Sequence, residues 1–259
     1  MPTRLKVCCI ESEEESRLAV GLGASALGLV SSMPSGPGVI GEELIALIAG
    51  RVPPAVATFL LTSATSVEEI VAQQRRCRTN TIQICDRLTE GGRGDLKTQL
   101  PGVKIVQVVH VVDHDAMEEA VEAARDADAI LLDSGRPGAA VKELGGTGRV
   151  HDWAVSAEIR EAVAPVPLYL AGGLRPSNVG EAIRAVRPFG IDVCSGVRRE
   201  GRLHEDVLRS FVEAMATVDQ ALAAGVPAEP LETSSPDERR DFGDKTLAPQ
   251  RSAPGGRGR

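Results

Sequence analysis

Over about the first 220 residues, short apolar runs rich in β-branched residues alternate with segments whose apolar positions recur every three to four residues. The short runs are Leu5–Ile10, Ala26–Ser31, Val56–Leu61, Thr81–Cys85, Lys104–Val111, Ala129–Asp133, Pro167–Ala171 and Ile191–Ser195. Runs of this length without strict alternation read as strands covered on both faces. Between them, Glu42–Ile48 places Leu44, Ile45 and Ile48 at helical spacing, and Val67–Gln74 does the same with Val67, Ile70 and Val71. Asp115 and Glu118 have capping-box spacing ahead of a stripe of Met117, Val121 and Ala124. Pro176 suits the first turn of a helix carrying Val179, Ile183 and Val186, and Val207, Leu208, Phe211, Val212 and Met215 mark a last helix.

About eight strand–helix units in succession predict a parallel α/β fold with right-handed crossovers, and their number points to a single (β/α)8 barrel. A doubly wound open sheet is the alternative on periodicity alone. Against it, no G-x-G-x-x-G follows the first strand and no G-x-x-x-x-G-K-[ST] occurs. From about Ala223 the pattern ends. Gly225, Pro227, Pro230, Pro236, Pro249 and Pro254 punctuate a polar stretch without apolar periodicity. The expected division is therefore a barrel over residues 1–222 and a disordered polar tail over 223–259.

Composition narrows the picture in three ways. Aromatic residues supply only 2% of the chain, so the core must rest on Val, Leu, Ile and Ala. A net charge of −7 leaves no electrostatic footprint for nucleic acid or an anionic membrane. No signal-peptide pattern precedes the first strand and no apolar run approaches the roughly 18–20 residues of a membrane span, so a cytoplasmic protein is expected. Oligomeric state leaves no mark in the sequence.

The odd count of five cysteines argues against a disulfide framework. Cys8 and Cys9 are adjacent, so on a strand they point to opposite faces and only one should reach a site. His110 and His114 are spaced as metal ligands on a helix, but they run from a strand end into a loop, so no metal is expected there.

In a barrel, chemistry belongs at the C-terminal strand ends. Cys8, Asp133, Gly172-Gly173 and Ser195-Gly196 all fall at such ends, and Gly145-Gly-Thr-Gly148 lies beyond the sixth strand. Glycines at two consecutive strand ends let backbone N–H groups approach a phosphate. Asp133 closes an apolar strand, where burial can raise its pKa toward general-acid work. A thiol such as Cys8, opening on the same mouth, can serve as base or nucleophile.

Taken together, these stretches resemble the phosphoribosylanthranilate isomerase family. The resemblance rests on Lys6-Val-Cys8, Leu131-Leu-Asp133-Ser134, Gly145-Gly-Thr-Gly148 with Asp152-Trp153, Leu170-Ala-Gly-Gly-Leu174, Pro176-Ser-Asn-Val179 and Asp192-Val-Cys-Ser-Gly-Val197. It spans roughly residues 4–215. It implies a (β/α)8 barrel that converts N-(5-phosphoribosyl)anthranilate to its 1-deoxyribulose phosphate aminoketose in tryptophan biosynthesis, without metal or organic cofactor. By position, Asp133 would be the general acid and Cys8 the general base, while Gly172, Gly173, Ser195 and Gly196 would hold the phosphate.

The chain also departs from the family pattern. Cys9 stands where glycine is usual, and Gln83-Ile-Cys-Asp86 replaces Gln-Leu-His-Gly. Arg198 stands where glutamate is usual, and Gly38 stands where an arginine grips the anthranilate carboxylate. Arg87 and Arg198 are the candidates to supply that missing cation. The alternatives are a related barrel isomerase acting on another phosphosugar, and a non-catalytic protein that binds a phosphorylated metabolite.

Overall fold

Eight parallel strands close on themselves in sequence order, and the final pairing of β8 with β1 excludes an open sheet. The structure is a computed structural model that describes residues 1–111, 115–135, 144 and 151–225. The strands are β1 (Arg4–Val7), β2 (Ala26–Val30), β3 (Ala57–Thr62), β4 (Thr81–Ile84), β5 (Lys104–His110), β6 (Ala129–Asp133), β7 (Leu168–Leu170) and β8 (Gly190–Val193). All eight expected strands are present.

Two of them end two or more residues before the apolar run does. β1 stops at Val7 because Cys9 takes a left-handed backbone, φ 61. β8 stops at Val193 because residues 195–197 wind into a single 3-10 turn.

Two-residue alternation sorts the strand side chains onto two faces. Leu5, Val7, Leu27, Leu29, Leu60, Leu132, Leu168, Leu170, Ile191 and Val193 pack outward against the helices. Cys8, Ala26, Val30, Phe59, Leu61, Cys85, Val106, Val108, Leu131, Tyr169 and Ala171 fill the interior. Two of the few aromatics lie there: Tyr169 meets Phe59 edge-on, and also the exposed Phe189, with centroids 5.9 and 5.4 Å apart.

The helices are α1 (Glu13–Gly21), α2 (Glu42–Arg51), α3 (Val67–Cys77), α4 (Arg93–Gln99), α5 (Asp115–Ala123), α6 (Trp153–Ala162), α7 (Val179–Val186) and α8 (Glu205–Ala223). Five of these carry the predicted stripes. The other three, α1, α4 and α6, bury too little apolar surface for periodicity to show them. α1 buries Ser16 and Ala19, α4 buries Leu96, and α6 buries Trp153, Ser156 and Ile159. Their signals are local instead. Ser12 accepts the Glu15 N–H at the start of α1, and Asp152 accepts the Ala154 N–H at the start of α6.

A short hairpin of β9 (Arg198–Arg199) and β10 (Arg202–Leu203) follows β8. Asp115 is the first residue of α5, so it sits inside the first turn where the spacing had suggested a cap. α8 runs through the expected domain boundary at 222 to Ala223, and the expected tail from residue 226 onward lies outside the described residues.

Candidate active site

The C-terminal ends of the strands surround an open cavity with about 700 Å³ of empty space, solvent at its mouth included. Cys8 and Cys9, Asp133, Gly172 and Gly173, and Ser195 all line it. Residues from four strand ends named from the sequence are thus brought to one place by barrel closure. The Gly145–Gly148 stretch and His114 lie outside the described residues. His110 has its Nε2 3.2 Å from the Cys85 carbonyl. Among the described residues no group of His, Cys, Asp and Glu is arranged to hold a metal.

Asp133 ends β6 with 9% of its surface exposed. Burial pushes its carboxyl up from 3.8 to about 6. The Ser134 N–H, 2.7 Å from Oδ1, opposes that rise, the Asp192 charge adds to it, and Lys6 works against it. The result is a carboxyl group with a usable proton near neutral pH.

Beneath it lies an ion pair that sequence reasoning missed. Lys6 is 0% exposed, and its Nζ is 2.8 Å from Asp192 Oδ2. Burial by itself would drive the ammonium to lose its proton. The Asp192 carboxylate, together with Cys8 and Cys9, outweighs that and holds Lys6 above its ordinary value. The ammonium also sits 5.2 Å from the Phe59 ring centroid. Asp192 Oδ1 is buried with no partner among the described residues, and Asp192 lines the cavity. The signal was available: Lys6 is two residues before Cys8, so it shares the inward face.

Cys8 is buried where β2 approaches β1, and Gly28 leaves it room: a Cβ there would lie 2.6 Å from Cys8 Sγ. The expectation that only one of the adjacent cysteines faces the site is corrected. Both line the cavity, because the left-handed backbone at Cys9 takes it out of strand alternation. Cys9 Sγ lies 2.7 Å from Cys194 Sγ.

The glycine-rich ends have distinct roles. Gly172 and Gly173 both have positive φ, 86 and 63, which turns the chain sharply after β7. Asn178 fixes this turn: its Oδ1 accepts the Arg175 N–H at 2.7 Å and its Nδ2 donates to the Gly173 carbonyl at 3.1 Å. Gly196 does not line the cavity. A Cβ there would lie 1.8 Å from the Leu174 carbonyl oxygen, so its absence lets the 195–197 turn close onto the 172–174 loop. The first N–H groups of that turn have no partner within it.

Comparison with known proteins adds to this geometry. The family described as "N-(5'phosphoribosyl)anthranilate (PRA) isomerase" matches residues 5–214. An N-(5'-phosphoribosyl)anthranilate isomerase of Methanocella arvoryzae is 36% identical over 212 residues, covering 82% of this chain and 97% of that protein. The chain belongs to the N-(5'-phosphoribosyl)anthranilate isomerase family.

A Haloarcula marismortui isomerase is likewise 36% identical, over 81% of this chain and 94% of its own length. The Thermotoga maritima phosphoribosyl anthranilate isomerase structure is similar with a TM-score of 0.68 and 28% identity, covering 83% of this chain and 99% of that one. Another phosphoribosyl anthranilate isomerase structure, 26% identical with a TM-score of 0.65 over the same shares, holds reduced 1-(O-carboxyphenylamino)-1-deoxyribulose 5-phosphate.

Within this isomerase family, the chain's departures take on structural meaning. Arg198 is 6% exposed and pairs with Glu15 at 3.0 Å. It also donates to the carbonyls of Gly201, Cys8 and Cys9. It is a strut between α1, the end of β1 and the hairpin. Arg87 is 75% exposed, with its guanidinium 4.0 Å from Glu119. Neither arginine lines the cavity, and among the described lining residues there is no Lys or Arg.

Gly38 packs on Cys9. A Cβ at Gly38 would lie 2.4 Å from Cys9 Cβ, and its φ is +81. Cys9 therefore occupies the space that a side chain at position 38 would need.

Proposed function

We propose that Asp133 and Cys8 divide the acid–base work of this isomerase between them. The reaction is the conversion of N-(5'-phosphoribosyl)anthranilate to the 1-deoxyribulose 5-phosphate aminoketose, a step of tryptophan biosynthesis. Its chemistry needs one group that begins protonated and one that accepts a proton. Asp133 delivers its proton to the furanose ring oxygen, the C1–oxygen bond breaks, and the ring opens to a Schiff base. Cys8 then takes the proton from C2, and the resulting enol tautomerises to the ketone. No step calls on a metal or organic cofactor.

Gly172, Gly173 and Ser195 hold the substrate phosphate through backbone N–H groups, and Gly196 keeps the two loops together. Asp192 Oδ1, with no partner among the described residues, is placed to accept a hydrogen bond from a substrate donor. Arg87 and Arg198 stay out of the carboxylate site in this reading, since Arg87 lies in solvent beside Glu119 and Arg198 is paired with Glu15 inside the fold. The substrate is a small phosphorylated molecule bound in a cytoplasmic enzyme, and no described helix is long and apolar enough to cross a membrane.

The observation that carries this reading is the Asp133 carboxyl, held near 6 in the same cavity as Cys8. Loss of the substrate's anthranilate fluorescence provides the test. Asp133→Asn and Cys8→Ala should each lower kcat by about 10²–10⁴-fold. Asp133 gives up its proton above about 6, and the downward pull this puts on kcat/KM as the pH rises should vanish in Asp133→Asn. Variants that retain wild-type turnover would remove Asp133 or Cys8 from these roles, and an Asp133→Asn profile of unchanged shape would remove Asp133 as the acid.

A further inference from the structure

We propose that Cys9 and Cys194 form a redox-active thiol pair at the mouth of the barrel, closed to a reversible disulfide by low-molecular-weight disulfides. The two sulfurs are 2.7 Å apart although the residues lie 185 positions apart in the chain. Both residues line the cavity, and Cys194 is partly exposed while Cys9 is buried. A small oxidant therefore reaches Cys194 first.

Three further features hold the pair in place. Cys9 occupies left-handed backbone, φ 61, a conformation that a non-glycine residue adopts at a cost. Gly38 has no Cβ, and one there would fall 2.4 Å from Cys9 Cβ, so the neighbouring loop is shaped around this thiol. Arg198 fixes the backbone next to it by donating to the carbonyls of Cys8 and Cys9. The same guanidinium favours a thiolate at Cys194, after the larger effect of the Cys9 thiol, so the Cys194 value lies below that of an ordinary thiol. The Cys9 value lies above it, held up by its contacts with Cys194 and Cys8. Cys194 is thus the attacking sulfur and Cys9 the resolving one.

The exchange proceeds in two steps. The Cys194 thiolate attacks one sulfur of the oxidant, forming a mixed disulfide as the oxidant's S–S bond breaks and releases one thiolate. Cys9 gives up its proton and attacks Cys194 Sγ. The Cys9–Cys194 bond forms and the second thiolate leaves. Two protein thiols are oxidised, one small disulfide is reduced to two thiols, and the protons lost by Cys9 and Cys194 end on those products.

Closure draws the sulfurs from 2.7 Å to about 2.05 Å. It pulls together the ends of β1 and β8, which carry Cys8 and Ser195. A displacement of about 1 Å in such groups costs on the order of 10²-fold in rate. Closure of this smaller span should lower turnover by roughly ten-fold.

The test treats the full chain with glutathione disulfide, blocks remaining thiols with iodoacetamide, and maps the peptides by mass. We expect a Cys9–Cys194 cross-linked pair, two hydrogen atoms lighter than its parts, which dithiothreitol releases and which Cys194→Ser and Cys9→Ser both lack. Turnover should fall as the linked fraction rises and return on reduction. Two results overturn the pair: Cys9 and Cys194 alkylated as fully as in untreated protein, or the oxidant found only on Cys8 or as a Cys8–Cys9 link. A linked chain with undiminished turnover overturns the regulatory consequence.

Discussion

At the residue scale, Asp133 illustrates how a site group is held at the expense of stability. Its carboxyl rises from 3.8 to about 6 on folding, chiefly through burial. The folded chain therefore binds this proton more tightly than the unfolded chain does. Its favourable contribution is complete below about 3.8 and is lost as the pH climbs through about 6. Asp133→Asn removes the buried charge, so at pH 7.5 the variant should be more stable than wild type by up to about 3 kcal/mol. That gain should shrink by pH 5. Urea unfolding at both pH values measures it, and a gain that does not grow with pH would show that burial is not the cause. Gly38 and Cys9 allow a second test. Gly38→Arg alone should destabilise by about 1–3 kcal/mol through its clash with Cys9. The double variant Cys9→Gly/Gly38→Arg should recover the clash part, leaving the cost of φ +81. A double-mutant cycle in Tm that shows no coupling would separate the two positions.

At the scale of elements, the turn between β7 and α7 depends on one side chain. Asn178 spans the turn with two hydrogen bonds, to the Arg175 N–H and the Gly173 carbonyl. Losing such a bond costs about 0.5–1.5 kcal/mol. Asn178→Ala should therefore raise KM roughly three- to ten-fold through a loosened phosphate loop, with kcat little changed. Steady-state kinetics separates these effects, and a fall in kcat alone would place Asn178 in the chemistry instead. The hairpin of β9 and β10 is fixed in the same economical way. Glu15 on α1 pairs with Arg198 and accepts the Leu203 N–H at 2.9 Å.

At the scale of the whole molecule, the barrel's closing seam carries a deeply buried ion pair. Lys6 and Asp192 are direct neighbours in the β1–β8 register, and their ion pair lies across that seam. Removing one member of a buried pair leaves the other charge uncompensated, at about 3–5 kcal/mol. Lys6→Met should lose that much in urea unfolding, and Lys6→Met/Asp192→Asn should regain most of it. Equal losses in the single and double variants would mean that Lys6 acts through packing alone.

The sequence by itself determined the order and kind of the strands, because a barrel strand covered on both faces is written as a continuous apolar run. It also marked Asp133, Cys8 and the glycine pairs, because a barrel's chemistry has to lie at strand ends. It was nearly silent on α1, α4 and α6, whose few buried residues leave no stripe. Only the tertiary structure decided that Lys6 pairs with Asp192, that Cys9 meets Cys194, and that Arg198 is spent on Glu15. These partners lie 186, 185 and 183 positions apart. Their meeting depends on the first strand closing against the last, and no local pattern of residues records that closure.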